Sequence, residues 1–164
     1  MSETGTPTVR QRVLDYLRDH HTMTLATIGP DGPWATGLFY AHDEFDVYWL
    51  SDPRSRHSRN IAVNPQVAVA IHEDYRRWEE IRGIQMEGVA ELVGPLADAG
   101  RPADIYLTRY PFLRDPAHLP RPLAEALTRA RLYHFMPRRI YFIDNSQGFA
   151  SRQEVMLPSM DAGR

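Results

Sequence analysis

The sequence predicts a mainly β fold, a small antiparallel barrel that also carries helices. Three observations support this class. Five early segments have strand composition and follow one another at roughly 10–15-residue intervals, as in small barrels. The first of them alternates threonine with apolar residues, which is typical of a strand with one buried face. The helical segments are few and short. The chain has 164 residues, enough for one domain with its own apolar core.

The first third of the chain predicts one helix followed by three strands. Val13, Leu14 and Leu17 recur at helical spacing, so a helix is expected over residues 8–20. The elements that follow are strand 22–28, turn 29–33, strand 34–41, turn 42–46 and strand 47–51. The glycines and prolines of the first turn favour a hairpin between the first two strands.

A short helix is predicted next. A polar, basic stretch leads into an apolar one that Asn64 and Pro65 terminate, which places a helix over 55–63 with Asp52 or Ser55 as its N-cap. The remaining predicted elements are strand 66–72, strand 82–93, helix 102–110, helix 123–130, strand 131–136 and strand 139–143.

Two features of the second half bear on its organisation. Gly83 and Gly88 lie inside the long strand and indicate a bulge or a close approach of two backbones. After Phe149 the chain shows no periodic pattern. We therefore expect one domain over residues 1–150 and a loosely ordered tail over 151–164.

The amino-acid composition excludes several kinds of chemistry. The chain has no cysteine, which rules out thiol nucleophiles, disulfides and cysteine-ligated metal sites. It also has no lysine, so lysine Schiff bases and the Walker phosphate loop are impossible. Any anion must therefore be bound by arginine, by backbone N–H groups or by hydroxyls.

Charge and hydropathy restrict the partners and the location. The net charge is −2, which gives no general attraction to nucleic acid or to anionic membranes. The start of the sequence is polar, and the longest apolar run, Val67–Ile71, is too short to span a bilayer. These observations favour a cytoplasmic protein. The histidines show no paired spacing, so no metal site is expected.

The most informative stretch joins the strand over 47–51 to the helix over 55–63. The strand ends in a hydroxyl, and the first turn of the helix presents Ser55 and Arg56. Free N–H groups at a helix start favour an anion, and arginine can grip a phosphate with two hydrogen bonds. A phosphate site is one interpretation. The alternative is a solvated basic helix end.

This order of elements resembles a known family. A strand, the Ser-Arg-basic triplet, a helix ending in Asn-Pro, an apolar strand and the segment 81–92 together resemble the pyridoxamine 5′-phosphate oxidase-like proteins, which are FMN-binding split β-barrels. The resemblance covers about residues 23–93, and the segment 132–144 fits the closing strands. A small bacterial branch of the family shares an Arg-Gly-Ile-Gln-like strand and a terminal Asp-Asn-x-x-Gly-Phe segment, here 144–149.

The resemblance implies a homodimer with FMN at its interface. The cofactor-binding residues that it implies in this chain are Leu50, Ser51, Ser55, Arg56, His57, Tyr40 and Gln85. Three positions depart from the oxidases. His57 stands where they have a lysine in the phosphate site, and Ala35 and Tyr40 stand where they have an arginine and a lysine on the strand that faces the flavin ring.

Three functions agree with this pattern. The first is an FMN-dependent oxidoreductase that acts on a small molecule, with catalytic residues left open. The second is a non-enzymatic flavin- or haem-binding protein, with His57 or His134 as axial ligand. The third is a deazaflavin-dependent reductase whose basic groove also includes Arg54 and Arg59. The aromatic residues of the early strands, Trp34 among them, serve either as barrel core or as partners for a flavin ring.

Overall fold

Eight antiparallel strands form one sheet in the computed structural model, which describes residues 6–158. The strands are β1 (Thr22–Gly29), β2 (Gly32–Phe39), β3 (Ala41–Asp43), β4 (Asp46–Ser51), β5 (Gln66–His72), β6 (Arg82–Gly94), β7 (Arg131–Asp144) and β8 (Arg152–Glu154). They lie in the order β2-β1-β5-β6-β7-β4-β3, and β8 also pairs with β7. The sheet curls into a half-barrel, which confirms the predicted split-barrel class.

Four helices accompany the sheet in the described chain. They are α1 (Val9–Asp19), α2 (Arg56–Val63), α3 (Arg101–Arg109) and α4 (Arg121–Arg129). The Thr8 side chain caps the start of α1 by accepting a hydrogen bond from the N–H of Gln11. At the other end of α1, the Arg109 side chain donates to backbone carbonyls, including that of His20. Within residues 6–158, no helix is long and apolar enough to cross a membrane.

The inner face of the sheet and α1 enclose the main core. Trp49, Tyr40 and Phe135 are its largest fully buried side chains, and Val13 and Leu17 reach it from α1. A second, smaller core forms where α3 packs against β3 and β4. Its buried members are Ala41, Tyr48, Tyr106, Tyr110, Leu113 and Leu132.

Two closing strands were predicted, over 131–136 and 139–143, but the structure has the single strand β7. The sequence pattern breaks at Pro137, which cannot donate a hydrogen bond to a neighbouring strand. Pro137 lies opposite Gly88 at a register shift between β6 and β7. At such a bulge a proline is tolerated, so the strand continues through it.

The predicted turn over 42–46 and the predicted tail also need correction. Ala41–Asp43 forms β3, which pairs with β4, so the turn is reduced to the residues around Glu44, whose φ is +51°. In the tail, β8 pairs with β7 and Val155 is buried. Residues 151–158 are therefore part of the fold, and 159–164 lie outside the described residues.

The terminal segment 144–149 has a structural role. Asp144 is buried and forms ion pairs with Arg12 of α1 and Arg82 of β6. Burial alone would raise the pKa of Asp144, but hydrogen bonds from Ser146 and the charge of Arg82 outweigh it and lower that pKa. Asn145 donates to the carbonyl of Trp78. The segment thus links α1 to the start of β6 and to the turn that precedes β6.

Gly88→Ala should destabilise the protein strongly. A Cβ at this position would lie 2.1 Å from the carbonyl oxygen of Met136 and 2.9 Å from the ring of Phe135. The strands would have to separate, and we expect a loss of about 3 kcal/mol in the free energy of unfolding. Gly37→Ala is the matched control, because nothing lies within 4 Å of its Cβ position. Denaturant unfolding of both variants tests this, and equal stabilities would contradict the close approach.

Candidate functional site

The end of β4 and the start of α2 are joined by a buried histidine. Ser51 is the last residue of β4, and Ser55 is the N-cap of α2. The Nε2 atom of His57 lies 2.7 Å from the Ser51 hydroxyl and 3.0 Å from the Ser55 hydroxyl. The Ser55 hydroxyl also accepts from the N–H of Ser58. Four of the predicted residues, Arg56 included, therefore lie at one point of the molecule.

His57 does not replace the positive charge of a lysine. Its side chain is buried, and burial lowers the pKa of His57. The imidazole is therefore neutral near pH 7, and its Nε2 atom is occupied by the two serine hydroxyls. His57 braces the turn that presents Ser55 and Arg56. The position of the family's lysine is thus filled by a side chain that adds no charge to the site near pH 7.

Arg56 is the cation that faces outward from the first turn of α2. Its guanidinium lies over the indole of Trp34, with 4.5 Å between Cζ and the ring centroid. Its Nη2 donates to the carbonyl oxygen of Asp31, 3.0 Å away. Its Nε is buried and has no hydrogen-bond partner in the described chain. The Nη1 group is not enclosed in this way and has no hydrogen-bond partner in the described chain, so it can donate to a ligand.

The neighbouring arginines are engaged differently. Arg54 forms two side-chain hydrogen bonds to Asp52, at 3.1 and 2.8 Å. These bonds hold the pKa of Asp52 well below its ordinary value. Arg59 is exposed and donates to the carbonyl oxygen of Arg54. Arg54 is thus neutralised by a carboxylate, whereas Arg56 has a backbone acceptor and no acidic partner among the described residues.

An anion such as a phosphate fits this turn. The first N–H groups of a helix have no partner within the helix, and they carry the positive end of its dipole. Ser51 and Ser55 add hydroxyls, and Arg56 adds a charge and its Nη1 donors. The residues present therefore suit the phosphate of FMN, the group that the resemblance implies.

A contact between α2 and β1, absent from the sequence analysis, holds this turn in place. The Asn60 side chain donates to the hydroxyl of Thr27 at 3.0 Å, and both residues are buried. Gly29 makes room for it, because a Cβ there would lie 2.0 Å from Asn60 Oδ1. Gly29 was predicted only as a turn residue, because a buried asparagine that faces a glycine carries no local signal in the sequence.

Tyr40 is not part of this site, which corrects its assignment to the flavin ring. β2 ends at Phe39, and Tyr40 is completely buried in the main core. Its hydroxyl donates to the carbonyl oxygen of Leu17 at 2.8 Å. Leu50 is half-buried beside the second core, directly before Ser51. Its backbone remains close to the site, whereas the Tyr40 side chain is enclosed.

Gln85 lies apart from Arg56, on the outer face of the sheet. Residues opposite one another in neighbouring strands share a face, and Gln85 pairs with Ala70 of β5 and Tyr141 of β7. Small residues continue this face across β5, β1 and β2. They are Ala68, Ala70, Ala26, Ala35 and Gly37. Exposed Ile28 and Phe39 flank them, and a shallow depression of about 340 Å³ covers part of the surface.

His134, the other histidine considered as an axial ligand, is also engaged. Its Nε2 lies 2.9 Å from Asp46, its Nδ1 lies 3.5 Å from Glu91, and its ring stacks on Tyr48. Both ring nitrogens therefore face carboxylates. Among residues 6–158, no group of three histidine or acidic side chains is arranged to hold a metal ion.

Comparison with known proteins places the chain in a family. The family model described as pyridoxamine 5′-phosphate oxidase matches residues 9–144. A UPF0306 protein of Photorhabdus laumondii is 34% identical over 99 residues, which are 58% of this chain and 68% of that protein. The chain thus spans about two thirds of the length of this relative.

Solved structures share the fold. A conserved hypothetical protein of Mycobacterium tuberculosis aligns with a TM-score of 0.65 and 24% identity, covering 100% of this chain and 98% of the other. A haem-binding protein of Mycobacterium smegmatis aligns with a TM-score of 0.66 and 18% identity, covering 93% of this chain and 59% of the other. At such identities the likeness establishes the split-barrel architecture alone.

The buried state of His57 predicts an acid-sensitive component of stability. Folding lowers the pKa of His57 below 6.5. Between the two pKa values, His57 is therefore protonated in the unfolded chain and neutral in the folded chain. This contribution of His57 to the free energy of unfolding is complete above pH 6.5. It is lost as the pH falls through the folded-state pKa, by up to about 1.4 kcal/mol per pH unit. His57→Gln should remove this part of the slope, measured by chemical denaturation from about pH 8 to 5.

His42, in β3, provides the matched comparison. Burial lowers the pKa of His42 too, so His42→Gln should remove a separate share of the acid sensitivity, and the double variant should lose the sum. An unchanged slope in His57→Gln would mean that folding does not lower the pKa of the imidazole, and the neutral, buried state assigned to His57 would be wrong.

Proposed function

The chain belongs to the pyridoxamine 5′-phosphate oxidase-like family of split barrels, in its UPF0306 branch, and on that premise we propose that it is an FMN-binding flavoprotein that acts as an oxidoreductase on a small molecule. One observation carries the proposal. Arg56 stands at the first turn of α2, next to the N-cap Ser55, as a cation with no acidic partner among the described residues.

The residues around Arg56 would hold the FMN phosphate. Ser51 and Ser55 offer hydroxyls, α2 offers the N–H groups of its first turn, and Arg56 offers the charge. His57 would act by holding the two serines together. When bound, the isoalloxazine ring supplies hydride or electron transfer, while the protein supplies binding and orientation. We assign no catalytic side chain.

The family's oxidation of pyridoxamine phosphate is not the activity we propose. The charged pair that the oxidases carry on the ring-facing strand is replaced by Ala35 and Tyr40. Ala35 is uncharged, and the Tyr40 hydroxyl is occupied by the Leu17 carbonyl. The chain therefore lacks the cations at these two positions that would favour a phosphorylated substrate, and a different small molecule is the better candidate.

We also propose a homodimer that forms through the outer face of the sheet. Its alanines and glycine leave a flat surface, and exposed Ile28 and Phe39 add apolar area that a second copy would remove from water. Gln85 lies on this face and would approach the flavin ring only within the dimer. We place the dimer in the cytoplasm.

FMN is favoured over the two alternative cofactors. The two histidines predicted as axial ligands of a haem are already engaged, His134 through both ring nitrogens and His57 through Nε2. A deazaflavin would need a broader basic groove, but Arg54 is neutralised by Asp52. The visible spectrum of the purified protein separates all three, because flavin, deazaflavin and haem absorb differently.

Arg56→Ala should lose FMN while keeping its fold. A charge-assisted pair to the phosphate is worth about 2–4 kcal/mol when truncation leaves the anion partly unpaired. FMN affinity should therefore fall about 30- to 1,000-fold. Binding of riboflavin, which has no phosphate, should hardly change. Fluorescence titration of both ligands measures this, and circular dichroism checks the fold.

Arg59→Ala is the matched control, one turn along α2 and exposed. It should bind FMN almost as the wild type does, because its guanidinium contacts the Arg54 carbonyl. Equal loss of FMN and riboflavin in Arg56→Ala would mean that Arg56 supports the ring or the fold, and the phosphate assignment would fail.

Ala68→Arg should convert the dimer to a monomer. Ala68 is exposed at the centre of the small-residue face. An arginine there would keep the two flat surfaces from making contact, and a stable interface needs about 800 Å² per partner. Ala62→Arg, on the exposed side of α2, should keep the dimer mass. Light scattering at micromolar concentration gives the mass, and a monomeric wild type would overturn the proposal.

A further inference from the structure

We propose that Trp34 is a positioning residue of the phosphate site, acting through the Arg56 side chain. The inference rests on the proposed binding of FMN. Trp34 belongs to β2 and pairs with Thr27 of β1, so its indole lies on the face of the sheet against which α2 packs. The Arg56 guanidinium covers the ring at 4.5 Å.

This contact orients Arg56 without using its hydrogen-bond donors. The five N–H groups of a guanidinium are its hydrogen-bond donors, and a cation–π contact needs none of them. The Asp31 carbonyl takes one N–H, on Nη2. The ring and the carbonyl together hold the guanidinium at two points. The Nη1 donors, which no hydrogen bond of the described chain uses, stay available for an anion.

The tip of the β1–β2 hairpin supplies the second restraint. Gly32 has φ +90°, a conformation that suits glycine, and it directly follows Asp31. Pro30 and Pro33 on either side restrict the backbone further. The Asp31 carbonyl is therefore held by a stiff turn, and the position of Arg56 is set before any ligand arrives.

The exposure of Trp34 agrees with this role. Trp49 is completely buried in the main core, whereas Trp34 is 40% exposed. A large apolar ring left partly in water contributes less to the core, but it provides a flat surface for a cation at the protein boundary. A long arginine side chain that is already ordered loses less entropy when it binds, which raises affinity.

Trp34→Leu and Trp34→Phe test the proposal. Trp34→Leu removes the π face and should weaken FMN binding about two- to fivefold, equivalent to the 0.5–1 kcal/mol typical of a partly exposed cation–π contact. Riboflavin affinity should not change. Trp34→Phe keeps an aromatic face and should recover part of the loss. Fluorescence titrations give the affinities, and thermal melting confirms that each variant folds.

A double-mutant cycle with Arg56→Ala tests whether Trp34→Leu weakens FMN binding through Arg56 or directly. If Trp34 acts through Arg56, Trp34→Leu should cause no further loss of FMN affinity once Arg56 is alanine. A loss that persists in this background, or an equal loss of riboflavin, would mean that Trp34 contacts the flavin ring or supports the fold, and the positioning role would be wrong.

The same titrations distinguish a failure of the positioning role of Trp34 from a failure of the proposed phosphate site. If wild type and Arg56→Ala do not differ in their preference for FMN over riboflavin, the phosphate site itself is wrong and the role of Trp34 falls with it. If Arg56→Ala loses FMN selectively while Trp34→Leu binds FMN as the wild type does, the phosphate site stands and only the positioning role is overturned.

Discussion

The hydrogen bonds of one neutral histidine determine how the end of β4 meets the start of α2. His57 lies inside the first turn of the helix, and its Nε2 atom reaches the hydroxyls of both Ser51 and Ser55. Burial makes protonation unfavourable, so the bridge works as a dipolar contact and not as an ion pair. Because Asn60 fastens the same helix to β1, the helix start has little freedom, and the groups on it point in fixed directions.

Because His57 is neutral, Arg56 is the cation of this turn that would recognise the phosphate in the proposed site. A lysine in place of His57 would add a second cation, but it could not be buried there without a large desolvation cost. The chain has no lysine at all. Its phosphate site would therefore combine one arginine with hydroxyls and backbone N–H groups. Such a site depends on precise orientation more than on total charge, since a single guanidinium must present its N–H groups correctly.

The sequence predicted the elements that local signals define and missed those that depend on distant partners. The helix over 55–63 was found because Ser55 caps it and Asn64-Pro65 ends it. The continuity of β7 was missed because Pro137 is acceptable only opposite the bulge at Gly88, a pairing across about 50 residues of chain. Tyr40 was misplaced because a core position and a ligand-facing position look alike in one sequence. Ser51, Ser55, Arg56 and His57 came together because they are neighbours in the chain, whereas Gln85 was joined to them only by resemblance.

The two faces of β2 carry separate tasks. Alternation along the strand places Trp34 beside Arg56, while the adjacent Ala35 points to the outer face with Ala26 and Gln85. The outer face is small, flat and partly apolar, which suits association with a second copy. The opposite side presents a cation and unpartnered donors, which suits an anion. Since β2 is an edge strand, both surfaces meet at its border. The proposed recognition of a phosphate and the proposed self-association would therefore depend on different side chains of one strand, and damage to one surface need not abolish the other.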